Sequence, residues 1–526
     1  MNKLVFPSAK NSSIFKITCL SLVILSGIVF FCLNATRHGL WSDEAVEYYF
    51  SKYISGTVPG GYGTTNMYER ILITYQPPLY NILMHFWLAV FDTEFTFRLA
   101  GILVTLIGAV GVFFSIDLML PEGIWNSLGT LLYLFSYGTV YYALECAEYN
   151  LMMCFSAWTV YFFIRFLIKK DTKSIIGFFA FSCLAVYSQY GASFIILGMA
   201  VALLLNLIIT KDYRQLKKFL LAGILSATCA ILPLICFFAI HQMKNMENSA
   251  TTHKLFFERG FITELTVGAK DTLEAMFGDF TVYGVLILLG IFLVSLFFNS
   301  RKLFYPFLAV IISWICYFFA VCSSFYGVKI WEKDSVGSMN LGNRYSFFFI
   351  PMLVIILTIS LGLLTNRIKT KYKAVATMTV FAFTICCLLS CSYEINRTVT
   401  NDQHKIGDDV RELVSVWYDR ELYNSDTLIF QWDDALFNYY LTHDNRYQES
   451  YSSSIESTDL WITTADYNEM QTRLSDMGYL SVDDFYYVTS STKDNPAFIS
   501  VMKDAGYEAD EILFSGESVL VHIKKS

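Results

Sequence analysis

The sequence has little charge for its length. Only 16% of its 526 residues are charged, whereas 55% are hydrophobic and 17% are aromatic. Soluble domains have about 25% charged residues, so this balance excludes an ordinary soluble protein and predicts a chain that folds in a lipid bilayer. All twelve cysteines lie at or before Cys391, mostly in apolar runs. They therefore indicate buried thiols rather than a disulfide framework or a metal site.

Acidic residues are concentrated in the last quarter of the chain. Residues 1–391 carry 28 basic and 20 acidic groups, whereas residues 392–526 carry 10 and 25. This shift predicts a membrane domain over 1–391 and a polar domain over 392–526. It also argues against nucleic acid as a partner, because binding a phosphate backbone needs a positive surface.

The polar domain alternates β-like runs with helix-like stretches near 433–441, 466–477 and 494–506, which predicts a small soluble α/β domain. The β-like runs are Thr427–Trp432, Leu460–Thr463, Phe485–Val488 and Ile512–Ile523.

Long apolar runs dominate the first 391 residues. A membrane-spanning helix needs about 20 mostly apolar residues, and eleven runs come close to that length. We therefore predict an α-helical polytopic membrane protein with about 11 transmembrane helices. The runs are 14–34, 97–119, 124–142, 150–168, 174–190, 192–210, 219–240, 281–298, 303–323, 345–365 and 374–391.

Lysine and arginine in short loops predict the orientation of these helices. Basic loops stay in the cytoplasm, and the basic loops near 169–173, 211–218, 301–302 and 367–373 all fall on one side of an eleven-span chain. The N-terminus is then cytoplasmic and the C-terminal domain extracytoplasmic. This requires that the apolar segment 77–91 does not cross, and at about 15 residues it is short enough to lie in the interface. The loop 35–96 is then external.

Two adjacent carboxylates follow the first span, in the run Trp41-Ser42-Asp43-Glu44-Ala45. A carboxylate at the membrane interface can accept a proton or hold a cation. The competing interpretation is that these residues only begin an interfacial helix, since Ser42 and Asp43 are typical helix N-caps. The spacing favours neither interpretation over the other.

Other polar groups fall on the same predicted side. Two prolines fix the chain between Gln76 and Tyr80, and ionisable groups beside an apolar layer, which are costly to bury, occur between the third and fourth spans. Arg344 carries a planar, permanent charge suited to binding phosphate. The further candidates for substrate binding are Glu145, Glu148, Tyr149, Gln189, Tyr190 and Tyr345. Headgroup contact is the alternative role for the charged members.

The order of these motifs resembles the GT-C glycosyltransferases, near the protein O-mannosyltransferase and aminoarabinose transferase branch, or glycosyltransferase family 39. The resemblance covers about residues 14–365. It rests on Asp43-Glu44-Ala45, Gln76-Pro77-Pro78-Leu79-Tyr80, Phe97-Arg98-Leu99, Ala147-Glu148-Tyr149-Asn150-Leu151, Gln189-Tyr190, and Arg344-Tyr345 with Pro351.

The resemblance implies a GT-C-like fold and transfer of a sugar from a polyprenyl-phosphate carrier to an acceptor hydroxyl at the outer face, usually with inversion. It implies Asp43 as the general base, with Glu44 as its orienting or electrostatic partner. It implies that Arg344 binds the carrier phosphate and stabilises it as it leaves.

Three positions depart from the family pattern. Members often have histidine where this chain has Gln76 and Gln189, and arginine where it has Glu148. Glutamine is a poorer metal ligand and glutamate reverses the charge. We therefore expect no resident metal to be essential, although a divalent cation is not excluded.

Two other functions stay open. A transporter or flippase of lipid-linked glycans would need a continuous polar path through the bilayer, and a scaffold would bind a partner through the acidic tail. The sequence leaves the sugar and the acceptor unidentified, and the acceptor is a protein, a cell-wall polymer or a lipid.

Overall fold

A computed structural model describes most of the chain. The described residues are 9–57, 64–73, 76–121, 123–248, 303–317, 346–369, 372–400, 405–422, 429–431, 434–447, 455–457, 475, 479–489, 495–516 and 518–526. Their contacts divide the chain into two compact units. The bundle unit contains Met1–Ala35, Ile71–Tyr80 and Arg98–Thr400, and the loop–tail unit contains Thr36–Arg70, Asn81–Phe97 and Asn401–Ser526.

The described residues in the first half of the chain are mostly helical. The helices are α1 (Ala9–Asn34), α2 (Ser42–Lys52), α3 (Met67–Ile73), α4 (Leu79–Leu88), α5 (Glu94–Asp117), α6 (Ile124–Leu134), α7 (Tyr137–Leu144), α8 (Tyr149–Lys169), α9 (Thr172–Ser188), α10 (Ala192–Ile209) and α11 (Tyr213–Ser226). A short two-stranded ladder, β1 (Gly56–Thr57) with β2 (Thr64–Thr65), lies between α2 and α3.

The helix that begins as α11 continues through two π-helical turns, Ala227–Ile231 and Ile235–Ala239, into α12 (Ile240–Asn248). Pro233 lies between the two turns and has no amide N–H to donate, which accounts for the irregular hydrogen bonding there. Further along are α13 (Leu303–Tyr317), α14 (Phe349–Lys369) and α15 (Lys373–Thr400).

Nine described helices correspond to predicted spans. Six are long and apolar enough to cross a membrane: Ile14–Asn34, Glu94–Asp117, Tyr149–Lys169, Ala192–Ile209, Tyr213–Lys244 and Phe349–Arg367. Three more apolar helices are shorter: Thr172–Ser188, Leu303–Tyr317 and Thr377–Tyr393. The predicted span 281–298 lies outside the described residues.

The predicted span 124–142 is wrong as a single helix. The structure breaks it between α6 and α7, where the backbone of Ser136 is extended. The hydroxyl of Ser136 donates to the carbonyl of Tyr133 (2.9 Å) and lies 2.9 Å from the Thr139 hydroxyl. These bonds satisfy polar groups at the break, which the continuous apolar run did not reveal.

Ion pairs and hydrogen bonds identify the two ends of the bundle unit. Lys16 at the start of α1 pairs with Asp117 at the end of α5 (2.7 Å). At the opposite end, the guanidinium of Arg98 donates to the carbonyl of Ala35 (2.7 Å). The first and fifth helices are therefore antiparallel. Ala35 and Arg98 lie at the same end of the bundle unit, and Ile71–Tyr80, between them in sequence, also belong to this unit. We call the two ends the Lys16 end and the Arg98 end.

Two tight turns contain repeated Lys-Asp pairs. Lys170 and Lys211 have left-handed backbones, with φ of 50° and 53°. The following residues, Asp171 and Asp212, cap α9 and α11 by accepting from Ser174 N and Gln215 N. The Lys170 ammonium lies 3.5 Å from an oxygen of Asp212. Two of the basic loops predicted to share a side are therefore adjacent.

The C-terminal part is an α/β sheet domain. Its helices are α16 (Lys405–Asp419), α17 (Asp434–His443) and α18 (Asn495–Asp504), with a 3₁₀ turn at Tyr479–Ser481. The strands are β3 (Ile429–Gln431), β4 (Ile455–Ser457), β5 (Asp484–Thr489), β6 (Tyr507–Ser515) and β7 (Ser518–Lys525). Their order is β4-β3-β5-β7-β6, with the first three strands parallel and the last three antiparallel.

The predicted strand Ile512–Ile523 is wrong as one element. A turn at Gly516, where φ is +55°, divides it between β6 and β7. Glycine adopts this conformation without a steric penalty. The predicted run Leu460–Thr463 and the helix-like stretch 466–477 lie largely outside the described residues, whereas β3, β5, α17 and α18 confirm the other predicted elements.

Candidate active site

Helix α2 carries the adjacent carboxylates at its start. Its N-cap is Trp41, so Ser42 and Asp43 occupy the first helical positions rather than the cap. Asp43 is exposed, whereas Glu44 is completely buried (0% exposed). The Glu44 carboxylate accepts from the Trp41 amide (2.9 Å), which is one half of a capping box. Glu44 is therefore the buried carboxylate of the pair, and Asp43 is the exposed one on the first turn of α2.

A second buried group lies one turn further along α2. Asn81 donates to the Glu47 carboxylate (3.0 Å) and contacts the Ser51 hydroxyl (3.2 Å). His85 contacts the carbonyl of Ser51 through Nδ1 (3.0 Å). Helix α2 is therefore bonded along its length to the chain that follows Tyr80.

The opposite part of α2 contacts the C-terminal domain within the loop–tail unit. The hydroxyl of Tyr48 donates to Asp92 (2.7 Å) and lies 3.1 Å from Nε2 of His443. The Lys52 ammonium donates to Tyr48 (2.6 Å) and pairs with Asp92. Burial acts to raise the pKa of Asp92, but bonds with His443, Lys52 and Tyr48 outweigh it, so the pKa lies below its ordinary value.

The bundle unit holds the candidates between the predicted third and fourth spans. Glu145, Glu148 and Tyr149 are all buried, and they precede or begin α8, whose other end carries Lys169. The Tyr149 ring packs 4.4 Å from the Tyr142 ring, between centroids. Tyr141 shares a hydrogen bond with Glu145. Since snorkelling side chains would reach water, the burial of both glutamates argues against that role.

Gln76 and Tyr190 both bond to Gln242, a residue that the sequence did not single out. The buried Gln242 amide donates to the carbonyls of Gln76 (2.8 Å) and Ile71 (2.9 Å). Its oxygen accepts from the Tyr190 hydroxyl (2.7 Å). The side-chain oxygen of Gln189 accepts from the Gly191 amide (2.5 Å). Gln242 lies near the end of the long helix that starts at Tyr213, opposite the basic turns.

Arg344 and Tyr345 lie outside the described residues, so their roles stay predictions. The described chain resumes at Ser346, and the next residue, Phe347, packs 5.1 Å from the Tyr142 ring and 6.3 Å from the Tyr149 ring, between centroids. Tyr80 is buried within α4. That helix has ten residues, about 15 Å in length, which is half the thickness of the hydrocarbon layer.

Sequence analysis also missed Asp92, His443 and Tyr440. Nothing in the local sequence distinguishes these residues, and each has a partner that lies between 40 and 400 positions away. Only a pairing signal between distant positions would have found them. Among the described residues, no group of three or more His, Cys, Asp or Glu side chains stands where it could hold a metal ion, so the divalent cation stays a prediction.

Part of the chain matches a known family. Residues 75–237 match the model for dolichyl-phosphate-mannose-protein mannosyltransferases. A search of curated proteins gives no match. The matched segment includes the Gln76–Tyr80 motif, the buried glutamates and the Gln189–Tyr190 pair.

Solved structures resemble the chain over nearly its whole length. ArnT from Cupriavidus metallidurans bound to undecaprenyl phosphate has a TM-score of 0.57 and 12% identity, covering 95% of this chain and 97% of that one. Archaeal oligosaccharyltransferase AglB from Archaeoglobus fulgidus, with an inhibitory peptide and a dolichol-phosphate, has a TM-score of 0.52 and 11% identity, covering 93% and 71%.

The Archaeoglobus fulgidus oligosaccharyltransferase in complex with Zn and sulfate has a TM-score of 0.54 and 12% identity, covering 92% of this chain and 69% of that one. At identities this low, the structural likeness establishes the fold but does not identify the substrates. Together with the apolar helices, this likeness shows that the chain is a multi-pass membrane protein with the GT-C fold, whose residues 75–237 carry the sequence pattern of the dolichyl-phosphate-mannose-protein mannosyltransferase family.

Proposed function

We propose that this protein transfers a sugar from a polyprenyl-phosphate carrier to an acceptor hydroxyl on the outer face of the membrane. The observation that carries the proposal is the family match over residues 75–237 in a chain with a GT-C fold. Relatives of that fold are recorded with undecaprenyl phosphate and with dolichol-phosphate. A carrier of this kind keeps its polyprenyl tail in lipid while its phosphate reaches the interface, where buried polar groups can meet it.

In this mechanism, Asp43 is the general base. Its carboxylate takes the proton of the acceptor hydroxyl as that oxygen attacks the anomeric carbon of the sugar. The bond from the anomeric carbon to the phosphate oxygen breaks, and the polyprenyl phosphate leaves with the electron pair. Attack opposite the leaving group inverts the configuration. Arg344 stabilises the charge that develops on the phosphate.

Glu44 supports the base rather than replacing it. Because its carboxylate is buried and bonded to the Trp41 amide, it fixes the turn on which Asp43 stands. Glu145, Glu148 and Tyr149 are proposed to contact the substrates, together with Gln76, Tyr80, Gln189, Tyr190 and Tyr345. The sugar, hexose or pentose, is not specified by these residues.

The proposed orientation places the N-terminus in the cytoplasm and the C-terminal domain outside. It is supported by the basic turns around Lys170 and Lys211 and by the antiparallel pairing of α1 with α5. Since Ala35 and Arg98 lie at the same end of the bundle unit, residues 36–97 do not need to cross the bilayer, although Ile71–Tyr80 belong to that unit. A cysteine placed at position 43 should react with a membrane-impermeant maleimide in intact cells.

Asp43→Asn tests the mechanism directly. The protein in detergent would receive undecaprenyl-phosphate-linked radiolabelled hexoses and pentoses, with a Ser/Thr peptide, a cell-wall polymer fraction or phospholipid as acceptor. General-base catalysis contributes about 10²–10⁴-fold, so transfer should fall by at least about 100-fold. Binding of tritiated undecaprenyl phosphate should be unchanged, because the base does not contact the phosphate.

Glu69→Gln is the matched control, because Glu69 is also an exposed acid in the first turn of a helix in the same loop. It should retain wild-type transfer. Wild-type turnover by the Asp43→Asn variant would remove Asp43 from the mechanism. The GT-C likeness favours this transferase over the transporter, and transport of a lipid-linked glycan without transfer of its sugar would reverse that preference.

A further inference from the structure

The four residues before α2 contact the C-terminal domain. We call His38–Trp41 the entry segment, since it leads into α2. The Gly39 amide donates to the Asp408 carboxylate (2.8 Å), and the Leu40 amide donates to the Tyr440 hydroxyl (2.6 Å). With the Trp41 amide bonded to Glu44, three consecutive backbone amides each have a side-chain oxygen as acceptor.

Close backbone packing accompanies these bonds. A Cβ atom on Gly39 would lie 2.4 Å from the carbonyl carbon of Gly407, and one on Gly407 would lie 2.1 Å from the Leu40 oxygen. Side chains do not tolerate such distances, so the two backbones touch only because both residues are glycine. These close contacts therefore allow the entry segment to occupy only one position on α16.

A second contact holds the body of α2. The Tyr48 ring meets the Tyr439 ring edge-on, with centroids 4.9 Å apart, and the His443 ring stacks on Tyr439 at 4.1 Å. The Tyr48 hydroxyl lies 3.1 Å from Nε2 of His443. Asp43 lies between this contact and the entry segment, five residues before Tyr48, or about 7.5 Å along the helix axis.

Two contacts, one before the helix and one in its middle, fix both the position of α2 along its axis and its rotation about that axis. We propose that the C-terminal domain positions the general base, with Asp408, Tyr440 and His443 acting as positioning residues that do not touch substrate. This rests on the proposed function of Asp43, and it makes the C-terminal domain part of the catalytic apparatus.

The size of the effect follows from the distance tolerance of catalysis. A general base must lie within hydrogen-bond reach of its proton, and a displacement of about 1 Å costs about 100-fold in rate. Loss of one positioning contact should therefore lower kcat while the KM for the donor stays the same. A change that only destabilises the domain lowers the amount of folded protein without this separation.

Tyr440→Phe in the full-length protein removes the acceptor for the Leu40 amide (2.6 Å), together with a longer bond from the Arg411 guanidinium (3.4 Å). We expect kcat to fall about 10- to 100-fold, with the KM for the active polyprenyl-phosphate sugar within about twofold of wild type. Tyr418→Phe is the matched control, because it removes a buried hydroxyl that donates to the Leu441 carbonyl (2.9 Å) within the same domain. It should leave kcat unchanged.

Two substitutions at Asp408 test whether a side-chain oxygen alone restores activity. Asp408→Ala removes the acceptor for the Gly39 amide, whereas Asp408→Asn keeps a side-chain oxygen in the same place. The alanine variant should lose activity as Tyr440→Phe does, and the asparagine variant should recover most of it. Equal loss in both variants would mean that the charge, rather than the bond to the entry segment, matters, and would overturn this part of the proposal.

Hydrogen exchange separates failure of this proposal from failure of the proposed function. Amide exchange over residues 36–48 should become faster in Tyr440→Phe and stay unchanged in Tyr418→Phe, whatever the reaction. Unchanged exchange in Tyr440→Phe would overturn the docking. Faster exchange with unchanged kcat, in a protein that Asp43→Asn inactivates, would overturn the positioning role. An active Asp43→Asn variant would instead refute the proposed role of Asp43 as general base, and with it the role of the C-terminal domain in positioning that base.

Discussion

The bundle unit and the loop–tail unit are stabilised in different ways. In the bundle unit, apolar side chains fill a large core, and buried polar groups mostly bond to nearby carbonyls, as Ser115 does to Gly111 and Thr358 to Val354. In the loop–tail unit, charged side chains connect segments hundreds of residues apart, as Arg411 does with Glu94. Local sequence therefore determines much of the first unit, whereas the second depends on distant partners.

The largest effect should come from breaking close helix packing in the bundle unit. A Cβ atom at Gly198 in α10 would lie 2.1 Å from the Ser313 hydroxyl and 2.4 Å from the Ala309 carbonyl in α13. Small residues permit such close approach in membrane proteins. Gly198→Ala should destabilise the protein by about 1–3 kcal/mol, measured by thermal unfolding in detergent.

Gly223→Ala provides the contrast within the same unit. Its Cβ atom would meet only the end of the Phe179 side chain, at 3.2 Å, which can move. Alanine also favours a helix over glycine by about 1 kcal/mol. This variant should be as stable as wild type or more stable. Equal stability of the two variants would show that the close α10–α13 contact does not determine the stability of the protein.

An intermediate effect should follow from Gly407→Ala in the loop–tail unit. Its Cβ atom would overlap the Leu40 carbonyl, which is backbone and cannot rotate away. We expect the entry segment to separate from α16 and become sensitive to added protease, while thermal unfolding of the bundle unit changes little. Gly39→Ala should give the same result, because its Cβ atom would overlap the backbone of Gly407. Wild-type protease resistance in both variants would contradict the contact.

The smallest effect should come from Asp92. Because its folded-state pKa is lowered, its contribution to stability is complete above its ordinary value near pH 4 and is lost as the pH falls through the lowered pKa. Asp92→Asn should cost at most about 1 kcal/mol at pH 7, since the carboxylate is partly exposed. The difference from wild type should shrink between pH 4 and pH 2, measured by hydrogen exchange in the loop–tail unit.

Glu511→Gln is the control for that measurement. Glu511 pairs with Arg420 (2.5 Å) on the surface, where both side chains are nearly half exposed. Exposed pairs contribute about 0–1 kcal/mol and are screened by salt. The variant should match wild type at every pH. A pH dependence equal to that of Asp92→Asn would mean that surface charge in general is responsible.

Hydropathy predicted most of the bundle because each helix carries its own signal. Hydropathy did not predict the helix break at Ser136, because the sequence stays apolar through it. The Ser136 hydroxyl bonds to the Tyr133 carbonyl there and so stabilises the break. Helix α16 was missed although Val410, Leu413, Val414 and Trp417 recur at helical spacing and are all buried, so in that case the signal was present. The turn at Gly516 was also readable, since glycine between two β-like runs is typical of a hairpin.

The candidate site was predicted only in part. Asp43 and Glu44 stood out because adjacent acids follow an apolar span, but their unequal burial depends on the fold. Gln242 and Tyr440 could not be predicted, since a lone glutamine or tyrosine at the end of a helix is unremarkable by itself. The predicted boundary between the domains at residue 391 stays a prediction, and the contacts place residues 36–70 and 81–97 with the C-terminal part.

The bond from Leu40 to Tyr440 joins residues 400 positions apart. A ribosome adding about 5–20 residues each second would need about 20–80 s to make the second partner after the first. During that time the amides of the entry segment lack their C-terminal acceptors and bond to water instead. The entry segment can therefore reach its final position on the C-terminal domain only after Tyr440 has been synthesised.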